Sequence, residues 1–375
     1  MKKNNLIQTS KRIIIKIGSA LLIDKEKGTL RKKWLDTLAI DIFNLIRLNK
    51  EVIIVSSGSI ALGKKQLSLK NNLTLDEKQA AAATGQISLA HAWKEVMLEH
   101  GLNVAQILLA PDDTETRRKH VNARATLIKL LELGVIPVIN ENDTVSTEEI
   151  KFGDNDRLAA RVAQMCSADL LILLSDINGL YSSDPNKNKN ATLIEKVTEI
   201  STEIESMAGP ANSKISSGGM VTKIEAAKIS MNAGCHMIIC DGRLDNPLLK
   251  LEENEKTFSW FKAKDHPLNL RKQWISGALH AKGKIIIDNG ATQAIKKGFS
   301  ILPAGIVKTE GHYEKGDLIK IIDQNETFVG TGLTHFNNSE VELIKGSKSE
   351  NIEKILGYRG KDEVVHRDDL VLEKK

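Results

Sequence analysis

Two lysines stand beside short glycine-containing segments and could carry chemistry on an anion. The first, Lys16, lies within the apolar run 13–17 and is followed by Gly18 and Ser19. A charged lysine is costly to bury without a partner, and a glycine lets backbone N–H groups approach an anion closely. The structural alternative is a lysine at the edge of the protein that reaches solvent.

The second lysine, Lys223, precedes a helix predicted over 224–232. It closes a run that consists of Ser217, Gly218, Gly219, Met220, Val221 and Thr222. Two glycines ahead of a helix favour binding of an anion by the helix N-terminus. The run matches neither the Walker A pattern nor the dinucleotide-binding fingerprint, so spacing rules alone do not name its ligand.

An acidic and amide-rich stretch, NENDTVSTEEIKFGDND at 140–156, follows another apolar run. Asp143 and Asn155 offer the acceptors that an amino group needs. Asp154 and Asp156 offer carboxylates, which a metal–nucleotide site requires close to lysines. The alternative is that Asp154 or Asn155 only caps the helix that follows.

Two further polar segments follow apolar runs. Ser57 and Gly58 open a junction rich in small donors, which suits a carboxylate or a phosphate. Ser175 and Asp176 could hold a nucleotide base or ribose. An N-cap serine and a plain turn are the structural alternatives. Because no Ser–His–Asp set or other covalent nucleophile stands out, the residues favour phosphoryl transfer, which depends on positioning and charge stabilisation.

The elements that must position these residues are strands and helices in alternation. The apolar runs are continuous, as expected for strands covered on both faces. Helical periodicity indicates helices over 35–46 and 76–99, and the end of another over 124–133. The strand candidates are 13–17, 52–55, 104–109, 135–139, 170–174 and 237–240. The alternation predicts an α/β fold with a mostly parallel sheet sandwiched by helices, and ligands beyond the carboxyl ends of its strands.

A second, smaller domain is expected because 375 residues exceed one small core and the pattern changes near residue 242. Turn residues over 242–280 indicate loops and a boundary. We expect a larger domain over 1–265, a linker over 266–281 and a small β-rich domain over 282–375. The β candidates of the small domain are 284–287, 319–322 and 341–344.

Composition narrows the class of protein. Apolar residues make up 41% of the chain, and the net charge of +5 does not by itself imply nucleic acid or a membrane surface. Cys166, Cys235 and Cys240 match no metal-site spacing, so we expect buried thiols. We expect no signal sequence and no membrane span, and hence a cytoplasmic protein.

Five segments resemble, in this order, those of the glutamate 5-kinases, a branch of the amino-acid kinase family. They are KIGSALL, VSSGSIALG, INENDTVSTEEIKFGDND, LLSDINGLYSSDP and SGGMVTKIEAA. The tail resembles the PUA domain that many bacterial members carry, through RKQWI, DNGATQAI, ILGY and HRDDL. One departure is at 258–261, where Phe-Ser-Trp-Phe replaces a frequent Gly-Thr-x-Phe.

The resemblance implies an amino-acid kinase fold, a PUA-like domain and a reaction. ATP, with Mg²⁺, would phosphorylate the γ-carboxylate of L-glutamate to glutamyl 5-phosphate, the first step of proline biosynthesis. Proline would inhibit the enzyme at or near the acidic stretch. The resemblance also implies a homo-oligomer, with the next enzyme of proline synthesis as a possible partner.

The resemblance further implies roles for residues. Lys16 and Lys223 would neutralise charge on the transferred phosphoryl group, and Asp156 would organise these lysines or help to hold Mg²⁺. The glutamate-binding positions are Ser57, Asp143 and Asn155. The ATP-binding positions are Lys16, Gly18, Ser19, Ser175, Asp176, Ser217, Gly218, Gly219, Met220, Val221, Thr222 and Lys223. Lys151 would contact the substrate or inhibitor.

The sequence leaves three questions open. A related activity on aspartate, N-acetylglutamate or a nucleoside monophosphate is an alternative within the kinases. An RNA-binding accessory protein is an alternative of another class, because PUA-like domains occur in RNA-binding proteins. Lys and Arg barely outnumber Asp and Glu in the tail, so the electrostatic signal for RNA is weak. The carboxylate that would hold Mg²⁺ is also undecided.

Overall fold

The protein divides into two compact units, Met1–Pro267 and Leu268–Lys375. This computed structural model describes residues 6–24, 27–70, 72–145, 155–208, 219–253, 258–270 and 281–373. Most of the expected linker, 271–280, therefore lies outside the described residues. Within the described ranges, no helix combines the length and the apolar composition that a membrane crossing requires.

The first unit is built on an eight-stranded, mostly parallel sheet, as predicted. The strands of the unit are β1 (Arg12–Ile17), β2 (Ile23–Asp24), β3 (Thr29–Leu30), β4 (Glu51–Ser56), β5 (Asn103–Leu109), β6 (Val135–Glu141), β7 (Leu170–Ser175), β8 (Lys196–Val197), β9 (His236–Asp241) and β10 (Phe258–Phe261). The order in the sheet is β5-β6-β4-β1-β7-β9-β10-β8, while β2 and β3 form a separate hairpin. Neighbouring strands of the sheet run parallel, except that β9 and β10 are antiparallel.

Helices connect these strands. They are α1 (Leu6–Thr9), α2 (Ser19–Leu22), α3 (Lys32–Arg47), α4 (Ser59–Gln66), α5 (Leu75–Leu98), α6 (Pro111–Glu115), α7 (Arg117–Glu132), α8 (Asn155–Cys166), α9 (Thr202–Met207), α10 (Met220–Asn232) and α11 (Pro247–Glu253). The three helices predicted over 35–46, 76–99 and 124–133 correspond to α3, α5 and the second half of α7.

Alternate residues of the central strands pack into two separate apolar clusters, one on each face of the sheet. Ile13 and Ile15 of β1 lie in the cluster that includes side chains of α3 and α5. Ile14 lies in the other cluster, with side chains of α8 and α10. Both faces of the sheet are therefore covered by helices, which explains why the strands are continuously apolar.

The three cysteines are buried free thiols, as predicted. Burial raises the pKa of the Cys235 and Cys240 thiols above the ordinary range, so both remain protonated near neutral pH. These side chains therefore serve as core residues rather than as nucleophiles.

The segment 242–280 was expected to form loops, and this prediction is wrong where α11 and β10 form. All four residues of β10 are buried, and Phe258 pairs with Cys240 of β9. The hydroxyl of Ser259 accepts from the Leu180 N–H at 2.8 Å and donates to the Ile194 carbonyl at 2.6 Å. A four-residue strand is too short for periodicity to reveal, and its partners come from elsewhere in the chain.

Helices α4 and α5 approach each other closely enough to require glycine at two positions. A Cβ on Gly63 would lie 1.7 Å from the Ala81 carbonyl oxygen, and one on Gly85 would lie 1.9 Å from that of Ser59. These distances are far below van der Waals contact, so any side chain there would separate the helices. The close contact places the next residue of α5, Gln86, beside the start of α4.

The second unit contains a five-stranded sheet with the order β12-β11-β13-β14-β15. Its elements are β11 (Gly283–Ile287), α12 (Asn289–Lys296), β12 (Ile306–Gly311), β13 (Leu318–Asp323), β14 (Phe328–Thr334), α13 (Asn338–Ile344), α14 (Ile352–Leu356) and β15 (Val365–Leu372). Strand pairs are antiparallel except β11 with β13.

Two of the three β candidates in this unit are confirmed, as β11 and β13, and the third is wrong. Residues 341–344 form the end of helix α13 rather than a strand. Asn337 caps this helix by accepting from the Glu340 N–H at 2.9 Å, and the Glu340 carboxylate accepts from the Asn337 N–H at 2.9 Å. This reciprocal capping box stabilises a helix start that a four-residue apolar run cannot reveal.

Candidate active site

The polar segments that follow β1, β4, β7 and β9 lie at one edge of the sheet. In the register, Ile17 at the end of β1 pairs with Ser56 of β4 on one side and with Leu174 of β7 on the other. Ser175, the last residue of β7, pairs with Asp241 of β9. Because these strands are parallel, their carboxyl ends coincide, and the residues that follow them gather there.

An ion triad of Lys16, Asp156 and Lys223 lies at this edge. Lys16 Nζ is 2.6 Å from Asp156 Oδ1, and Lys223 Nζ is 2.9 Å from Asp156 Oδ2. The Asp156 side chain is 0% exposed, and the two lysine side chains are 6% and 8% exposed. Thr222 Oγ1 also donates to Asp156 Oδ2 at 3.2 Å and to the Gly219 carbonyl at 2.8 Å.

Three different elements supply the triad. Lys16 is the buried charged residue of β1, while Asp156 and Lys223 occupy the first turns of α8 and α10. Both helices begin at the carboxyl edge of the sheet, so their N-terminal N–H groups and their dipoles add positive potential there. The local sequence therefore concentrates positive charge around one carboxylate.

Asp156 remains ionised in this setting. Burial alone would raise the pKa of Asp156, but the ammonium groups of Lys16 and Lys223 outweigh burial and hold that pKa below its ordinary value. The three side chains together contribute two ammonium groups and one carboxylate. The triad therefore retains a net positive charge in a buried position, and such a position favours an anionic ligand.

A second polar cluster centres on Asn155, the neighbour of Asp156. Asn155 Nδ2 donates to Ser57 Oγ at 2.8 Å, to Asn140 Oδ1 at 2.8 Å and to the Ser56 carbonyl at 3.3 Å. The structure thus brings together two of the three residues predicted to bind glutamate. Asp143, the third, lies half-buried two residues beyond the end of β6.

Two buried residues in this cluster were missed by the sequence reasoning. Asn140 Nδ2 donates to Gln86 Oε1 at 2.8 Å and to Ser59 Oγ at 3.2 Å. A signal for both was available. Asn140 ends an apolar strand, and Gln86 interrupts the apolar face of α5 at helical spacing from Ala82 and Leu89.

The predicted nucleotide-binding residues that the structure describes lie after β1, at the end of β7 and at the start of α10. Gly18 and Ser19 open helix α2, and Gly219 precedes Met220 and Val221 at the start of α10. Ser175 Oγ donates to Asp176 Oδ1 at 3.3 Å beyond β7. The predicted residues Ser217, Gly218, Lys151 and Asp154 lie outside the described residues.

The described residues do not form a metal site on their own. No three Asp, Glu, His or Cys side chains in the described ranges are arranged to hold an ion. Both Asp156 oxygens already contact ammonium groups, so this carboxylate fits the role of organising the lysines better than that of a Mg²⁺ ligand.

The arrangement is suited to bind an anion and a small polar molecule next to each other. The triad offers positive charge, and the amide cluster beside it offers both acceptors and donors. A phosphoryl group held at the triad would lie next to a molecule held at Asn155, because Asn155 and Asp156 are adjacent in α8. Such proximity of two reactants can supply much of a rate enhancement.

Comparisons with known proteins find similar sequences over almost the whole chain. Residues 11–241 match the model of the amino acid kinase family, and residues 283–356 match that of the PUA domain. The chain is 51% identical over 367 residues to the glutamate 5-kinase of Paramagnetospirillum magneticum, covering 98% of this chain and 99% of that protein. It is 51% identical over 363 residues to the glutamate 5-kinase of Rhodospirillum rubrum, covering 96% of each. Carbamate kinase from Giardia lamblia bound to AMP-PNP has a TM-score of 0.49 at 17% identity, covering 68% of this chain and 99% of that one.

Proposed function

Because the chain belongs to the amino acid kinase family and, within it, to the glutamate 5-kinases, we propose that it transfers the γ-phosphoryl group of ATP to the γ-carboxylate of L-glutamate. The products are ADP and glutamyl 5-phosphate. The observation that carries this proposal is the ion triad, in which two buried ammonium groups share one carboxylate.

The proposed reaction is a direct displacement. A γ-carboxylate oxygen of glutamate attacks the γ-phosphorus, the bond from that phosphorus to the β–γ bridging oxygen breaks, and ADP leaves with the bond electrons. Charge develops on the transferred oxygens and on the leaving group. Lys16 and Lys223 stabilise that charge, and Asp156 holds both ammonium groups in place before the nucleotide arrives.

The proposed glutamate site uses the amide cluster. Asn155 and Asp143 would accept hydrogen bonds from the α-ammonium group, and the Ser57 hydroxyl would contact a carboxylate. Support comes from the hydrogen bond of 2.8 Å between Asn155 and Ser57, which holds the two side chains next to each other. Mg²⁺ would accompany the ATP phosphates, since this ion is usually bound through one or two carboxylates plus phosphate oxygens.

The nucleotide site would extend from the triad along the carboxyl edge. Gly18, Ser19 and the start of α10, with Gly219, would donate N–H groups to the phosphates. Ser175 and Asp176 would face the ribose or the base. The resemblance adds Ser217 and Gly218, which lie outside the described residues, to this proposed site.

We further propose that this reaction is the first step of proline biosynthesis in the cytoplasm and that proline inhibits it. The proposed inhibitor position is at or near the stretch 140–156, which also carries the glutamate ligands Asp143 and Asn155. A homo-oligomer and a contact with the next enzyme of the pathway are expectations from the family. Inhibition that increases as glutamate is lowered would support overlapping sites.

A substrate panel tests the proposed function. ADP release would be measured with ATP, Mg²⁺ and, separately, L-glutamate, L-aspartate, N-acetylglutamate or a nucleoside monophosphate. We expect turnover that depends on L-glutamate and decreases as proline is added. A folded protein without glutamate-dependent turnover, or with faster turnover of another acceptor, would refute the proposal. Loss of the proline effect alone would refute only the regulatory part.

A further inference from the structure

Gln86 has no place in the reaction described above, yet it lies on the buried face of α5 with only 8% of its surface exposed. Its neighbours at helical spacing on that face, Ala82, Leu89 and Trp93, are apolar and buried. Burying an amide costs free energy unless its polar atoms are paired. The partner of Gln86 therefore indicates what the residue does.

The hydrogen-bond partner of Gln86 is Asn140, and the orientation of the Asn140 amide follows from its other contacts. The backbone N–H of Glu141 donates to one end of the Asn140 amide at 2.9 Å. A backbone N–H can only donate, so this end must be the oxygen, Oδ1. The other end, Nδ2, then donates to Gln86 Oε1 at 2.8 Å. Gln86 thus supplies an acceptor that holds Asn140 in a single orientation.

Asn140 in turn fixes Asn155. Asn140 Oδ1 accepts from Asn155 Nδ2 at 2.8 Å. The Ser56 carbonyl, which can only accept, lies 3.3 Å from the same Asn155 atom and confirms that this atom is the nitrogen. Oδ1 is consequently the opposite end of the Asn155 amide. An amide oxygen accepts hydrogen bonds from an ammonium group, whereas an amide nitrogen would repel it.

We propose that Gln86 is a positioning residue for recognition of the substrate amino group. Through Asn140 it orients Asn155 so that Asn155 presents Oδ1 to the α-ammonium group of the amino acid. The inference rests on the proposed function, because it takes L-glutamate as the ligand. Without the Gln86 acceptor, a buried donor of Asn140 loses a partner, and the cluster no longer has one preferred arrangement.

Two substitutions at position 86 test the acceptor role. Gln86→Leu removes the acceptor, whereas Gln86→Glu keeps an oxygen that can accept from Asn140. We expect Gln86→Leu to raise the KM for L-glutamate about tenfold, with kcat and the KM for ATP within about threefold. Gln86→Glu should restore the KM for glutamate to within about threefold of the parent. Thermal unfolding of each variant would establish that it is folded.

Gln66→Leu is a matched control. Gln66 Nε2 donates to Ser88 Oγ at 2.7 Å, so this glutamine joins α4 to α5 on their exposed side. The same chemical change there should leave both KM values unaltered. An equal rise in the glutamate KM for Gln66→Leu would assign the effect to helix packing and overturn the inference.

A double substitution distinguishes an effect of Gln86 that acts through Asn155 from a general effect on the protein. In an Asn155→Ala background, Gln86 and Asn140 have no Asn155 amide to orient. Gln86→Leu should therefore change the glutamate KM less than about twofold. A full tenfold change in that background would overturn the inference, as would an unchanged KM in Gln86→Leu alone. If the parent protein does not turn over L-glutamate, the proposed function fails and the inference fails with it; if it does, these variants test the inference alone.

Discussion

Lys223 Nζ lies 2.9 Å from Asp156 Oδ2, although the two residues are 67 positions apart in the chain. Helices α8 and α10 bring them together because both helices begin at the carboxyl edge of the parallel sheet. Lys16 contacts the other oxygen of the same carboxylate. Loss of any one member therefore changes the charge of a buried group, and each loss has a different measurable consequence.

Removal of a lysine should affect the chemical step. Lys223→Ala is expected to lower kcat by about 10²-fold or more, because a charge that stabilises the transferred phosphoryl group is lost. The KM for glutamate should change much less. Steady-state kinetics with both substrates would check this, with Lys228→Ala, on the same helix and paired with Glu205 at 2.5 Å, as the control. An unaltered kcat in Lys223→Ala would contradict the role of the lysine.

Removal of the carboxylate should affect stability as well as activity. Asp156→Asn removes the buried carboxylate that contacts both ammonium groups, a change that typically costs about 3–5 kcal/mol of folding free energy. Hydrogen exchange of α8 peptides would report the loss. Glu225→Gln breaks a partly exposed pair with Arg157, joined at 2.6 Å, and should cost less than about 1 kcal/mol. Similar losses from both substitutions would argue against an unbalanced buried charge.

The contribution of Asp156 should also depend on pH in one direction. Its pKa is lower in the folded protein than the ordinary value of 3.8. The stabilisation is therefore fully present above that ordinary value and is lost as the pH falls through the lower, folded pKa. The difference in stability between parent and Asp156→Asn should be constant near neutral pH and should shrink only in acid. A difference that disappears between pH 7 and 5 would contradict this assignment.

Substitutions in the amide cluster should affect substrate binding more than chemistry. Asn155→Ala and Asp143→Ala are each expected to raise the KM for L-glutamate about tenfold or more, while kcat falls less. Kinetics at saturating ATP would measure both parameters. Glu132→Ala, at an exposed position that precedes the start of β6 and pairs with Lys129, is a control for the loss of a carboxylate. If Asp143→Ala left the glutamate KM unchanged, its assignment to the substrate would be wrong.

The second unit should be sensitive to mild acid through His335. Burial lowers the pKa of His335 to about 4, despite the nearby carboxylates of Glu363 and Asp369. Because the unfolded chain binds the proton near pH 6.5, stability should fall as the pH drops from about 6.5 to about 4, by roughly 2–3 kcal/mol in total. Hydrogen exchange of β14 and β15 peptides would measure this loss. It should be absent in His335→Gln and unchanged in His312→Gln, where the histidine is exposed.

Much of the first unit could be predicted from the sequence, because its buried strands and long helices have strong local patterns. Lys16 could also be predicted as a candidate site residue, since a lysine within the apolar run 13–17 needs a counter-charge. The partners of Lys16 could not be derived from local pattern, because the triad joins three segments that only the sheet brings together. The resemblance to a family pointed to them instead.

The errors share a physical cause. Strand β10 and helix α13 are short, and each depends on contacts that a local pattern does not contain: pairing with β9 in one case and a capping box in the other. Gln86 and Asn140 were overlooked because each is a single amide in an apolar segment. Their significance appears only when the hydrogen bond between them is seen.

The measurement that tests the central claim most directly is the trapping of the acyl phosphate by hydroxylamine. The protein would be incubated with ATP, Mg²⁺, L-glutamate and hydroxylamine, and the product would be identified by mass spectrometry and NMR. The account predicts the γ-hydroxamate of glutamate in an amount equal to the ADP released, with both products reduced about 10²-fold or more in Lys223→Ala. ADP release without a hydroxamate, or formation of the α-hydroxamate, would contradict phosphoryl transfer to the γ-carboxylate at the Lys16–Asp156–Lys223 triad.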